Sequence, residues 1–130
     1  MSIQVVYDFA DAINEHNVEL IAGMMTEDHT FIDAHNNKVT GKAAMKGGWA
    51  MYFQFFPDYK IEIDEIYING DSIAAFGYAG GTFKGLKTTD NKNYWRLPAA
   101  WKAVVENGKI KLWQVYADTK IPFEIMDKNK

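Results

Sequence analysis

The 130 residues carry 17 acidic and 14 basic side chains, a net charge of −3, with 48% hydrophobic and 24% charged residues. That length suits a single domain with a real core, and the acidic balance argues against nucleic acid, whose binding rests on a basic face that neutralises phosphates. With no cysteine there is no disulfide, no thiolate nucleophile and no cysteine-based zinc site.

Aromatic residues reach 15%, with four Trp, seven Tyr and eight Phe. An excess of that kind fits a lined apolar cavity or a large subunit interface. The N-terminus, Met1-Ser2-Ile3-Gln4-Val5, has no basic region, and no apolar run reaches membrane-spanning length. The expectation is a cytoplasmic chain that meets no membrane. No repeat, linker or low-complexity segment divides it, so residues 1–130 read as one domain.

Ser2 can cap a first helix, in which Ile3, Val6, Ala10 and Ile13 recur at helical spacing with Phe9 beside them. His16-Asn17 breaks it, and Asn17 can cap a second, shorter helix through Leu20, Ile21, Met24 and Met25. Thr26-Glu27-Asp28-His29 is polar and ends that helix, with His29 expected at the surface among hydrophilic neighbours. A short strand is predicted over Thr30–His35, then a polar turn through Asn36, Asn37 and Lys38. Asp33 and His35 are two apart, so on an extended strand they project from the same face.

Thr40 is the expected cap of a third helix, whose Met45, Trp49, Tyr52, Phe53 and Phe56 fall on one side. Gly47 and Gly48 each cost it about 1 kcal/mol relative to Ala. Such residues imply a close approach, by a strand backbone or by a ligand. Pro57 stops the helix.

From Tyr59 the period changes to two. Tyr59, Ile61 and Ile63 alternate with Lys60, Glu62 and Asp64, the pattern of a half-buried antiparallel strand. After Glu65 the parity slips to Ile66 and Ile68, which predicts a bulge. Asn69-Gly70 and Asn107-Gly108 are hairpin signals. They pair Tyr59–Asn69 with Ser72–Phe83, and Tyr94–Glu106 with Lys109–Asp118, across a polar loop at Lys84–Asn93 that holds Lys84, Lys87, Asp90 and Lys92. The small residues Ala75, Gly77, Ala79, Gly80 and Gly81 permit tight curvature or leave room for a cavity. From Thr119, with Pro122, the chain reads as a short tail.

The order helix, helix, strand, helix and then four antiparallel strands defines an α+β class. The expected shape is a cone, a curved antiparallel sheet closed by three helices, with Asp33 inside.

This order resembles a known family when joined to Asp28-His29-Thr30-Phe31-Ile32-Asp33, Gly41, Phe56-Pro57-Asp58-Tyr59, Gly108-Lys109-Ile110 and Trp113-Gln114-Val115-Tyr116-Ala117-Asp118. The chain is similar, from Val5 to Thr119, to the SnoaL-like branch of the nuclear transport factor 2-like superfamily. That superfamily includes ketosteroid isomerase, limonene epoxide hydrolase, scytalone dehydratase and SnoaL-type polyketide cyclases. The resemblance implies a catalytic base at Asp33, where ketosteroid isomerases hold theirs, and an acid/base residue at Asp118, where the cyclases do. It implies no cofactor and no metal. The isomerases' two oxyanion donors fall at Phe9 and Ala100, neither of which donates a side-chain hydrogen bond, and Arg96 is followed by Leu97-Pro98 rather than the hydrolases' Arg-x-Asp.

A carboxylate in an apolar cavity is desolvated, which raises its pKa and suits it to abstracting a proton beside a carbonyl. Asp33 fits that role, with His35 orienting it or carrying the proton onward. The alternative is an Asp that closes the polar turn beside Asn36 and Asn37. Asp118 shares strand parity with Gln114 and Tyr116, so it faces the cavity only if Trp113 does not, or across a bulge. Asp33, His35 and Asp118 could also ligate a metal, although Asp-x-His is common by chance. The expected pocket wall is Phe9, Trp49, Phe53, Phe76, Tyr78, Trp101, Trp113 and Tyr116. Part of this aromatic set is expected to cover the outer sheet face in a homodimer. The reading is a cofactor-independent isomerase- or cyclase-like enzyme acting on a hydrophobic carbonyl compound, with a non-catalytic pocket for a small apolar molecule, or a dimerising interaction domain, as the alternative.

Overall fold

The computed structural model describes residues 2–85 and 91–129. Ser2–Asn14 forms α1, which buries Val6, Phe9, Ala10 and Ile13 as the spacing predicts. Asn14, at its end, mimics a strand residue: its amide donates to the Ile61 carbonyl and accepts from the Ile61 N–H (2.9 and 2.8 Å). His16, with φ of 57°, turns the chain and donates from Nε2 to the Tyr59 carbonyl at 2.7 Å. Asn17 then caps α2, Val18–Gly23, through a bond from the Leu20 N–H.

The polar stretch after α2 is strand rather than helix end. Residues Met25–Ile32 form β1, and Lys38–Thr40 folds back on it as β2. His29 corrects the surface expectation, because it is fully buried. The register of β1 against its neighbour shifts between Met25 and Thr30, and His29 sits in that irregularity. There its Nδ1–H donates to the Ile110 carbonyl at 2.8 Å, in place of a ladder bond. Hydrophilic sequence neighbours do not report on burial where a strand is bulged.

The N-cap of α3, Lys42–Phe55, is Gly41 at φ of 109°, not Thr40. A side chain is unfavourable at that φ, so glycine takes the place. No backbone approaches Gly47 or Gly48: a Cβ would meet nothing at Gly47 and only the Met45 thioether at Gly48. Close packing by a strand therefore does not explain these two glycines. Gly48 instead borders a cavity.

The remaining strands are β3 (Lys60–Asn69), β4 (Ser72–Thr82), β5 (Tyr94–Glu106) and β6 (Lys109–Ala117). Both hairpins form, the second with Asn107 and Gly108 at φ of 52° and 76°. The bulge predicted near Glu65 lies between Ile63 and Glu65. At Gly77 a Cβ would overlap the Glu62 carbonyl, so the close approach of β3 requires glycine there. Strand order is β2-β1-β6-β5-β4-β3. The pairing of β1 with β6 is parallel and every other pairing is antiparallel. The sheet is thus mixed, curved and open, with β2 and β3 as edges.

A fourth helix, α4, replaces the expected tail and spans Lys120–Lys128. Pro122 lies in its first turn, where no intrahelical N–H bond is lost. Asn129 holds its far end, donating to Asn93 Oδ1 at 3.2 Å and to the Ile125 carbonyl at 2.8 Å. Of the expected polar loop, Lys87 and Asp90 lie outside the described residues. Among the described residues, no helix is long and apolar enough to cross a membrane.

Candidate functional site: an aromatic cavity with a polar mouth

Along β5 the residues Trp95, Leu97, Ala99 and Trp101 point inward at alternate positions and are buried, while Tyr94, Arg96 and Pro98 point outward. Pairing carries that parity to Ala75 and Ala79 on β4 and to Trp113 and Val115 on β6. The inward faces, with α3 and α4, enclose a cavity of about 370 Å³. That volume lies toward the small end of ligand pockets. All four tryptophans of the chain, Trp49, Trp95, Trp101 and Trp113, stand in its wall.

Of the eight expected wall residues, Trp49, Trp101 and Trp113 line the cavity and five do not. Phe9 is one layer behind, packed on Trp113 with ring centroids 4.9 Å apart. Phe53 turns away from the cavity and stacks on the His16 ring at 4.0 Å. Phe76, Tyr78 and Tyr116 have outward parity: Phe76 packs on Tyr67, Tyr78 lies under the Arg96 guanidinium at 3.9 Å, and Tyr116 is exposed. The sequence reading missed Tyr52, Phe56, Tyr59 and Trp95, together with Pro122, Phe123 and Met126 of α4. Trp95 was accessible to strand alternation from Trp101, and Tyr52 and Phe56 to helical spacing from Trp49. The α4 residues gave no such signal, because Pro122 reads as a breaker.

The deep wall is uncharged. Burial pushes the phenols of Tyr52 and Tyr59 up from their ordinary value. Their rings meet edge to face at 4.8 Å, and each phenol acts on the other, lowering Tyr52 in part and raising Tyr59 further. Both stay neutral at any physiological pH.

The polar lining gathers at the other end, where the β1–β2 turn meets the start of α4. Asp33, His35, Asn37 and Thr119 open on the cavity there. Asp33 Oδ1 accepts from the backbone N–H groups of His35 and Asn37 at 2.8 and 2.9 Å, and Oδ2 accepts from Asn37 Nδ2 at 3.0 Å. Burial raises the Asp33 carboxyl, but the hydrogen bonds from Asn37 and His35 and the charge of His35 outweigh it. The net direction is down, opposite to the raised value expected of a desolvated base. His35 is exposed, with Nε2 2.6 Å from Thr119 Oγ1 and its ring centroid 5.0 Å from that of Phe123.

Asp118 corrects another expectation. Trp113 faces inward, so strand parity turns Asp118 outward, where Oδ1 accepts from the Lys120 N–H at 3.0 Å. Asp33 and His35 therefore come together at the mouth without it. Among the described residues, no three His, Asp or Glu side chains are grouped closely enough to hold a metal ion.

Fold and cavity together define a small α+β cone that holds an apolar pocket. Residues 6–113 match the model of the SnoaL-like domain, and the chain belongs to that family. Solved structures agree over nearly the whole length. A protein of ketosteroid isomerase-like fold from Catenulispora acidiphila, in complex with trimethylamine, superposes with a TM-score of 0.81 at 21% identity, covering 95% of this chain and 92% of that one. A candidate SnoaL-like polyketide cyclase from Jannaschia sp. CCS1 gives 0.82 at 15% identity, covering 96% and 90%. An epoxide hydrolase of the limonene type from M. tuberculosis gives 0.79 at 14% identity, covering 98% and 90%. At these identities the likeness shows the fold alone. A search of curated protein sequences finds no match.

Proposed function

We propose that this chain binds a small, uncharged, largely apolar molecule in the cone, beneath α4. The observation that carries this reading is the wall itself: about 370 Å³ of space bounded by four tryptophans and two neutral tyrosines. Among the described residues Asp33 is the only carboxylate in it, and its oxygens already serve the β1–β2 turn. Such a pocket favours burial of an apolar body and disfavours a charge.

The probe for this reading is tetralin, a two-ring hydrocarbon. At about ten times its Kd it should stabilise the fold by about 1.4 kcal/mol, a rise in Tm of about 5 °C for a chain of this size. Ala99→Leu, which fills part of the cavity, should abolish the rise. An unchanged Tm in the parent chain would contradict the proposal.

A second reading is acid/base proton transfer or cyclisation on a carbonyl compound, with Asp33 as base and His35 carrying the proton. It is favoured by the opening of both side chains on the same cavity mouth. The outer sheet face supports a further proposal, a homodimer, because Tyr67, Phe76, Tyr94 and Tyr116 lie exposed on it.

A further inference from the structure

The sheet has two open edges, and they are protected differently. Native edges avoid pairing with other chains by being short or by carrying Lys, Pro or a bulge. The β2 edge is short, at Lys38–Thr40. Along β3 the first half is blocked. The Asn14 amide takes both backbone groups of Ile61, and a bulge lies between Ile63 and Glu65. The second half, residues 65–69, contains neither Lys nor Pro and ends in the Asn69-Gly70 turn. It carries Tyr67 and Ile68, which are 59% and 51% exposed.

Hairpin geometry decides what this half-edge offers. Asn69 pairs with Ser72 across the two-residue turn Gly70-Asp71, with Gly70 at φ of 61°. The pair flanking such a turn exchanges both ladder bonds, and bonded and non-bonded pairs alternate from there. Asn69 and Tyr67 therefore direct their N–H and C=O groups at β4. Ile68 and Ile66, opposite Ile73 and Ala75, direct theirs at the open edge. Among the described residues no hydrogen bond reaches them there.

We propose that this half-edge joins two copies of the chain, β3 pairing antiparallel with the partner's β3 about a two-fold axis at Tyr67. That register sets Ile66 against the partner's Ile68 and Ile68 against the partner's Ile66, so the open N–H and C=O groups satisfy one another. Glu65 then faces the partner's Asn69, which is neutral. An axis at Ile68 would instead set Glu65 against the partner's Asp71, a like-charge pair that is unfavourable. An axis at Ile66 would run Ile68 into the bulge. The Tyr67 register avoids both faults, and a two-fold contact needs such self-complementarity. On one face Tyr67, already packed on Phe76 at 6.0 Å, meets the partner's Tyr67. On the other, Ile66 and Ile68 extend the apolar surface of the buried Ala75 and Ile73 toward the partner. The inference uses neither the cavity nor the outer-face contact. One short strand covers little area, so the contact is weak and forms at higher concentration than a face-to-face dimer.

The test is Ile68→Pro in the full chain. The ring removes an N–H that points away from β4, so the ladder within one copy keeps its bonds while the edge loses a donor. Sedimentation of parent and variant at about 1 mM, a concentration suited to a weak contact, compares their masses. The parent should be at least twice as heavy as the variant. An outer-face dimer does not change that ratio, because both chains would form it. If Ile68→Pro fails to fold, Tyr67→Lys, which sets two cations on the axis, takes its place. In the parent, the Ile66 and Ile68 amides should exchange several-fold more slowly at about 1 mM than at about 10 µM. Equal masses, or edge amides whose exchange ignores concentration, would overturn this inference and leave the outer-face dimer untouched.

Discussion

At Asp33 three donors converge on one carboxylate, and each of them belongs to the turn that the residue itself opens. The backbone closes the same turn, with the Asp33 N–H donating to the Asn37 carbonyl and the Asn36 N–H to the Asp33 carbonyl, both at 3.0 Å. Asp33→Ala should therefore destabilise the fold by about 1–2 kcal/mol, and Asp33→Asn, which keeps one acceptor oxygen, by less; urea denaturation measures both. Because the folded carboxyl lies below its ordinary value of 3.8, its contribution is present above that pH and is lost as pH falls through the folded value. An Asp33 resonance titrating above 3.8 by NMR would return the residue to the role of base.

His29 makes the matching argument for a buried imidazole. Burial pulls its pKa below the ordinary 6.5, and the hydrogen bond to Ile110 and the charge of Asp28 only partly oppose it. The unfolded chain takes up a proton near 6.5 that the folded chain refuses, so stability is full above that pH and falls as pH drops toward the folded value. His29→Ala should cost about 2–4 kcal/mol for the void and the freed carbonyl, and should flatten the pH dependence between those two values. A variant as acid-sensitive as the parent in that range would contradict the assignment.

Among the elements, α4 closes the cavity. Phe123 and Thr119 meet His35 near its start, and the Asn93–Asn129 pair holds its end. Asn129→Ala would remove the bonds to Asn93 Oδ1 and to the Ile125 carbonyl and free the last turn. Amide exchange in α4 should accelerate by about tenfold or more, from roughly 1–3 kcal/mol of lost local stability, while exchange in β5 stays unchanged. Equal protection of α4 in parent and variant would show that the clamp does not hold it. This helix also marks where the sequence was least legible. Ile121, Pro122 and Phe123 gave no helical start signal, since Pro122 is tolerated only through its first-turn position. By contrast β3 to β6 were legible because one face is buried and the other wet, so that Tyr59-Ile61-Ile63 and Trp95-Leu97-Ala99-Trp101 print the alternation directly. Only the end of β1, Thr30–Ile32, was legible; its polar first part was not, since a bulge and a buried histidine break that rule.

For the whole molecule, the outward parity that removed Phe76, Tyr78 and Tyr116 from the pocket gives the sheet its aromatic outer face. Large exposed aromatic groups of this kind mark interfaces. Sedimentation at micromolar concentration should show twice the chain mass, and Phe76→Asp should return the chain to a monomer; a parent chain that is already monomeric would sink the dimer. The site was legible only in part for the same geometric reason. Residue type placed aromatics near a cavity, but strand parity and one-layer depth decide which of them touch it, and neither Phe9 nor Phe53 reveals its depth in sequence.

The reading of the cone as a site for an apolar ligand can be tested without labelling the chain. All four tryptophans line the cavity, so tryptophan emission reports on it with no contribution from elsewhere in the chain. Titration with tetralin should change that emission along a saturable, single-site curve, and Ala99→Leu should remove the response. A parent chain whose emission does not change up to the solubility limit of tetralin would contradict the account.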